Sequence, residues 1–270
     1  MTMKHALCLF LTFVAACSAD SPVDESLAPT QVAMAGAPAA TSAADRVDPD
    51  EPGAVAALEK LPVRLVRSHR GVVQGVEMTD PELTDAAMAH LEGLHSLEWL
   101  KIGECKVTDA GLKHLAGLTR LRRLYLYELD LTDAGLAHLA RLAKLEVLAL
   151  EDTKITGPGF AHLKGLRALR VLNLGKCKVD DDALVSLEPL ARLETLGLQR
   201  TEITDAGLAH LSGLLGLIVV NLNGCDVTVD GLEHLRPLEN LRILRVKNTE
   251  ITREQARRFK KGMPGLAVFR

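Results

Sequence analysis

Leucine spacing sets the pattern of this chain. From Leu121 the sequence runs L-R-R-L-Y-L-Y-E-L-D-L-T-D-A-G-L-A-H-L-A-R-L-A-K-L. Leu121, Leu124 and Leu126 stand three and two residues apart, which predicts a short strand with two side chains facing a core. Leu131-Thr132-Asp133 follows, and residues 134–142 have the apolar spacing of a helix. The phrase returns every 24 residues. Thr84, Thr108, Thr132, Thr156, Thr204, Thr228 and Thr252 share one phase, with Asp180 in the remaining slot. A fixed period of this length predicts a solenoid, because each unit is too small to shelter its own leucines.

The strand phase holds Val76 and Met78, then Leu100 and Ile102, Leu124 and Leu126, Leu148 and Leu150, and Leu172 and Leu174. Leu196 and Leu198, Val220 and Leu222, and Leu244 and Val246 complete it. Period-two alternation turns these to one face and their neighbours to the other. A strand-loop-helix unit returns each strand in the same direction, so the sheet is expected to be parallel. Thr at the helix start is a good N-cap, and the Asp after it suits the positive end of the helix dipole. Gly111, Gly135, Gly159, Gly207 and Gly231 are poor helix residues, which points to close packing between turns. Thr156-Gly157-Pro158-Gly159 and Asp180-Asp181-Asp182-Ala183 break the phrase, and shorter or looser helices are expected there. Val63, Leu65 and Val66 form an expected N-terminal cap. Phe259, Met263, Leu266 and Val268 are expected to close the other end behind a basic exterior of Arg253, Arg257, Arg258, Lys260 and Lys261.

The consensus L-x-x-L-x-L-x-x-(C/T)-x-(I/V/L)-T-D-A-G-L-x-H-L resembles the leucine-rich-repeat family in its cysteine-containing form, over roughly residues 61–270. The resemblance implies an α/β fold. This is a right-handed leucine-rich-repeat solenoid, or horseshoe, with a parallel sheet on its concave face and short helices on its convex face. It also implies recognition as the usual activity.

Composition adds little to this picture. A net charge of −3 over 270 residues gives no support for nucleic-acid binding. The N-terminus changes the picture more. Lys4 and His5 precede an apolar run at residues 6–16, which has the length of a signal-peptide core. Val14-Ala15-Ala16-Cys17 resembles the bacterial lipoprotein box, which implies lipid attachment at Cys17. Ser18 rather than Asp then favours the outer membrane, by resemblance to Gram-negative sorting. Residues 1–16 are thus expected to be a lipoprotein signal peptide and 17–57 a disordered tether rich in Ala, Pro, Ser and Asp. Residues 58–270 are the leucine-rich-repeat domain, its C-terminal cap at about 252–270. The expected location is the cell envelope, with membrane contact only through the lipid.

Chemistry finds few footholds. Cys105, Cys177 and Cys225 share one phase with Thr153, Thr201 and Thr249. Two or three strand spacings of about 4.8 Å put them beyond disulfide reach, so structural roles in the loops are expected. His90, His114, His138, His162, His210 and His234 form a row on successive helices, too far apart to share one ion. No nucleophile motif, phosphate loop or matched Cys/His pair is present, so no enzyme, metal or cofactor is expected.

The outward strand positions are less bland. The chain's one Trp and both its Tyr fall there, as Trp99, Tyr125 and Tyr127. These residue types are enriched at interface hot spots. Lys101, Arg123, Glu151, Asn173, Gln199, Asn221, Asn223, Arg245 and Lys247 share these rows. With the next row included, the first half carries Glu77, Asp80, Glu104, Glu128, Glu151 and Asp152 against Lys101 and Arg123, and the second Lys176, Arg200, Arg245 and Lys247 with no acid. The expectation is a monomer that binds a protein, or alternatively a glycan, of complementary polarity on its concave face. The alternatives are a self-associating envelope protein and, third, a substrate-recruiting subunit of a degradation complex.

Overall fold

The computed structural model describes residues 50–270. The expected signal peptide, Cys17 and most of the expected tether lie outside them. The described residues form one ten-stranded sheet in chain order. Its strands are β1 (Arg64–Arg67), β2 (Val73–Met78), β3 (Trp99–Gly103), β4 (Arg123–Tyr127), β5 (Val147–Ala149), β6 (Val171–Asn173), β7 (Thr195–Gly197), β8 (Val219–Asn221), β9 (Ile243–Arg245) and β10 (Ala267–Phe269). From β2 to β10 every pairing is parallel, with partners 24 residues apart. Only the capping strand β1 runs antiparallel, against β2. The strand-phase leucines are fully buried, and one core runs the length of the stack from Leu58 to Leu266. At the far end Phe259, Met263 and Leu266 are buried and Val268 half-buried.

The Thr-Asp phrase does more than begin a helix. Four of the threonines cap their own helix this way: the hydroxyl of Thr108 accepts from the Ala110 N–H, and Thr132, Thr204 and Thr228 do the same, whereas Thr84 makes no such bond and Gly157 takes the cap position after Thr156. Each Asp serves the following repeat. Asp85, Asp109, Asp133, Asp181 and Asp205 accept the backbone N–H of Thr108, Thr132, Thr156, Thr204 and Thr228 at 2.7–3.0 Å. They also accept the hydroxyls of the same threonines. Glycine leaves room for that carboxylate. A β-carbon at Gly111, Gly135, Gly207 or Gly231 would fall 2.0–2.4 Å from an oxygen of the preceding Asp. At Gly159 it would fall 2.6 Å from the Asp133 carbonyl. The clasp is missing where Gly157 replaces Asp. There Asp180 caps its own helix through the Ala183 N–H, and Ala183 takes the glycine's place. It is missing again where Val229 replaces Asp, and Thr252 instead forms a capping box with Gln255.

The cysteine phase is structural. The Thr153 hydroxyl and the Cys177 thiol both donate to the Leu150 carbonyl, at 2.9 and 3.0 Å. Thr201 and Cys225 share the Leu198 carbonyl in the same way. Alternating Thr and Cys thus gives the Leu150 and Leu198 carbonyls two side-chain donors each, while the Val246 carbonyl accepts from Thr249. Burial pushes the Cys177 and Cys225 thiols up.

Two expectations need correction. The tether does not extend to residue 57, because Pro52–Leu58 is a helix packed on the first repeat. Asp50 accepts the N–H groups of Val73 and Ser96, and Leu58 is fully buried. These contacts offset the ordering entropy that composition alone left uncompensated. Nor is the helix after Gly157 short: Pro158–Gly165 is a 3₁₀ helix of eight residues, whereas Asp181–Val185, at five, is shorter than the seven helical residues of Asp109–Leu112 and Lys113–Leu115, as expected.

Candidate functional site

The strand residues that point away from the core form an open face, with the helices on the other side of the sheet. Strand register divides the predicted contact residues into three groups. Trp99, Lys101, Arg123, Tyr125 and Tyr127 lie side by side on β3 and β4. Glu151, Asn173, Gln199 and Asn221 occupy the middle. Asn223, Arg245 and Lys247 lie toward the C-terminal end.

In the first group the rings lie flat on glycine. A β-carbon at Gly75 would fall 1.9 Å from Cε2 of Trp99, so the indole rests on that backbone. The Tyr127 ring rests likewise on Gly103, where a β-carbon would be 2.4 Å from Cε2 and Cζ. Lys101 Nζ stands 5.4 Å from the Tyr127 ring centroid, within cation–π range. Both tyrosines are partly buried. Desolvation raises the Tyr125 phenol, partly opposed by Arg123. It also raises the Tyr127 phenol, against Lys101 and with help from Glu104 and Glu128. Both stay neutral donors at physiological pH. Arg123 is exposed beside them.

The middle group is tied together. Asn173 Nδ2 donates to Glu151 Oε2 at 3.0 Å, Gln199 Nε2 to Asn173 Oδ1 at 3.0 Å, and Asn221 Nδ2 to Gln199 Oε1 at 3.2 Å. The chain crosses four repeats. Gln199 lies over Gly175, as the rings lie over theirs. Asn173 is 1% exposed, and its Oδ1 also accepts the Gly175 N–H. Its expected role as a partner contact is therefore corrected: it is the floor of the network and orients Glu151 and Gln199. Val147, Val171 and Val219 face outward yet are 4–5% exposed, shielded by in-register neighbours. At the far end Asn223 Oδ1 accepts the Lys247 N–H, and the Arg245 guanidinium lies 5.6 Å from the Phe269 ring.

A fourth feature borders the face. Glu104, Glu128, Asp152, Lys176, Arg200 and Asn248 follow the strand ends with φ between 52° and 60°, and Gly224 stands in the same column at 72°. Each non-glycine residue there costs about 1–2 kcal/mol. The conformation serves the sheet: the Glu128, Asp152, Lys176 and Arg200 N–H groups reach carbonyls of the next repeat at 2.8–3.0 Å. The fold thus demands the backbone shape but not the charges.

Sequence reasoning missed the seats of the rings, although a signal was present. Trp99, Tyr127 and Gln199 each stand one period after a glycine, at 75, 103 and 175. Among the described residues no group of three His, Cys, Asp or Glu is placed to hold a metal ion, and no helix is long and apolar enough to cross a membrane.

Comparison with known proteins agrees on the fold. A family model described as leucine-rich repeat matches residues 166–187. Among solved structures, an internalin C2 from Listeria monocytogenes aligns with a TM-score of 0.55 at 22% identity, over 73% of this chain and 80% of that one. An internalin (inlF) from the same organism gives 0.53 at 22%, over 70% of this chain and 58% of that one. A leucine-rich-repeat protein from Leptospira interrogans gives 0.50 at 18%, over 67% and 50%. The alignment thus spans less than two thirds of two of these three neighbours. No curated protein sequence matches the chain. The fold is that of a leucine-rich-repeat solenoid.

Proposed function

We propose that the chain is a non-catalytic recognition module that binds another protein through the open, concave face of its sheet. It does so as a monomer, held at the cell envelope by a lipid on Cys17. One observation carries the reading of the face. A chain with 3% aromatic residues places its only Trp and both its Tyr on two adjacent strands of that face. The indole and the Tyr127 ring lie flat on glycine, so a broad apolar surface is already ordered before a partner arrives. Such pre-ordering reduces the entropy lost on binding. The polar network beside it supplies amide and carboxylate groups whose geometry is also set in advance. The lipid anchor rests on residues 14–17 and on the apolar run before them.

The test is affinity capture from the native envelope with the full chain, compared with a Trp99→Ala, Tyr125→Ala double variant. Hot-spot aromatics are worth at least about 2 kcal/mol each, so partner recovery is expected to fall by more than tenfold. Recovery equal to the parent rejects the concave site.

A further inference from the structure

Charge is arranged in two different ways on this solenoid. The column that opens the strands alternates in sign: Glu98, Arg122, Glu146, Arg170 and Glu194 follow one another, and Arg122–Glu146 and Arg170–Glu194 are ion pairs. The loop column Glu82, Lys106, Asp130 and Lys154 alternates over those four rungs, with pairs at 3.0 and 2.9 Å, and then runs Lys178, Glu202, Asp226 and Glu250. The left-handed column between them does not alternate. It reads Glu104, Glu128, Asp152, then Lys176, Arg200, and all five are exposed. Its one ion pair joins the two blocks, Lys176 Nζ to Asp152 Oδ2 at 3.1 Å. Like charges on adjacent rungs repel. The strand-opening column shows a row neutralised within the chain, whereas the segregated row has a single internal pair and is open to counter-charges from a partner.

Spacing identifies the element that brings them. Five rungs at about 4.8 Å span roughly 19 Å. One helix face offers a side chain every turn, about 5.4 Å, or roughly 22 Å over the same count. An extended strand offers same-face side chains about 6.8 Å apart, roughly 27 Å in all, and falls out of step. Between Glu128 and Asp152 the surface also dips. Leu129, Asp130, Thr153 and Lys154 complete the lining of a polar depression of about 320 Å³, which has room for a lysine head.

We propose that this column docks an α-helix of a partner protein, whose exposed stripe carries three basic residues followed by two acidic ones at one-turn spacing. The proposal rests on the recognition reading above and names the partner element. The basic block lies over Glu104, Glu128 and Asp152, and the acidic block over Lys176 and Arg200.

Two synthetic helical peptides of identical composition provide the test. One carries Lys at positions 1, 5 and 8 and Glu at 12 and 15. The other alternates Lys and Glu over the same positions. Anisotropy titrations use the full chain. The blocked peptide is expected to bind about tenfold tighter at low salt, from several exposed ion pairs acting together, with the difference closing at about 0.5 M salt. Glu128→Lys with Arg200→Glu is expected to abolish the preference. Equal binding of the two peptides, no binding of either, or a preference that survives the charge exchange overturns the proposal. The Trp99→Ala, Tyr125→Ala variant separates the readings. It leaves the peptide preference intact if only the aromatic site fails, whereas loss of the peptide preference in the parent chain leaves the aromatic capture result untouched.

Discussion

Glycine is a poor helix residue, yet five repeats use it in the first helical turn. The preceding aspartate explains why, and gives a substitution whose sign opposes propensity. Gly231→Ala gains about 1 kcal/mol of helix propensity. It also drives a β-carbon to within 2.0 Å of Asp205 Oδ1. The carboxylate must then leave the Thr228 N–H and hydroxyl, bonds of 2.7 and 2.6 Å. Charge-assisted bonds of this kind outweigh propensity, so a net loss of about 1–3 kcal/mol is expected in chemical denaturation. A variant as stable as the parent would refute the clasp. The rule was legible in the sequence all along. Glycine appears after Asp85, Asp109, Asp133, Asp181 and Asp205, and alanine or glutamine after Gly157 and Val229. Reading each repeat on its own hid it, because the correlation runs between repeats.

Among the elements, the turn at Thr156 shows the clasp at its fullest. Asp133 accepts the N–H groups of Thr156, Gly157 and Gly159 and the Thr156 hydroxyl. Burial works to raise its pKa, but these four bonds outweigh it and hold the carboxyl below the usual 3.8. A depressed folded value means that the contribution is complete above the unfolded pKa. It is lost as the pH falls through the folded one. Asp133→Asn is therefore expected to cost about 2 kcal/mol near neutrality. Its stability should then decline less than the parent's on acidification. Parallel acid limbs in the two unfolding curves would count against this account. Strand and helix positions were readable from leucine spacing, since the core faces follow the period. The helix Pro52–Leu58 was not, because its order comes from Asp50 and from contacts with the first repeat rather than from its own composition. Asn173 was misread for a related reason: an outward position on a strand is not an exposed one when neighbours cross over it.

Across the whole molecule, two changes coincide. The left-handed column reverses sign between Asp152 and Lys176, and the clasp is absent between Gly157 and Asp180. In a solenoid, stability is a sum of units and nearest-neighbour interfaces. Of the two junctions without a clasp, the one at Thr252 is held by a capping box, so the one at Asp180 is where the interior of the stack opens first. Hydrogen exchange of residues 179–183 is expected to be on the order of tenfold to a hundredfold faster than that of the matching residues 203–207. Equal protection at the two places would contradict it. The fold was plain from the period. The candidate face was legible as rows of residues, but its division into an aromatic platform, a hydrogen-bonded ribbon and a charged border depends on which side chains lie across their neighbours.

The clasp also limits how this chain can be edited. A unit with aspartate at its helix start accepts only a successor that has glycine three residues past its cap. Duplicating, deleting or transplanting single units will therefore leave a mismatched seam unless both sides are changed together. Gly157–Ala183 and Val229–Gln255 are the natural splice points, where a foreign unit meets no carboxylate it must accommodate.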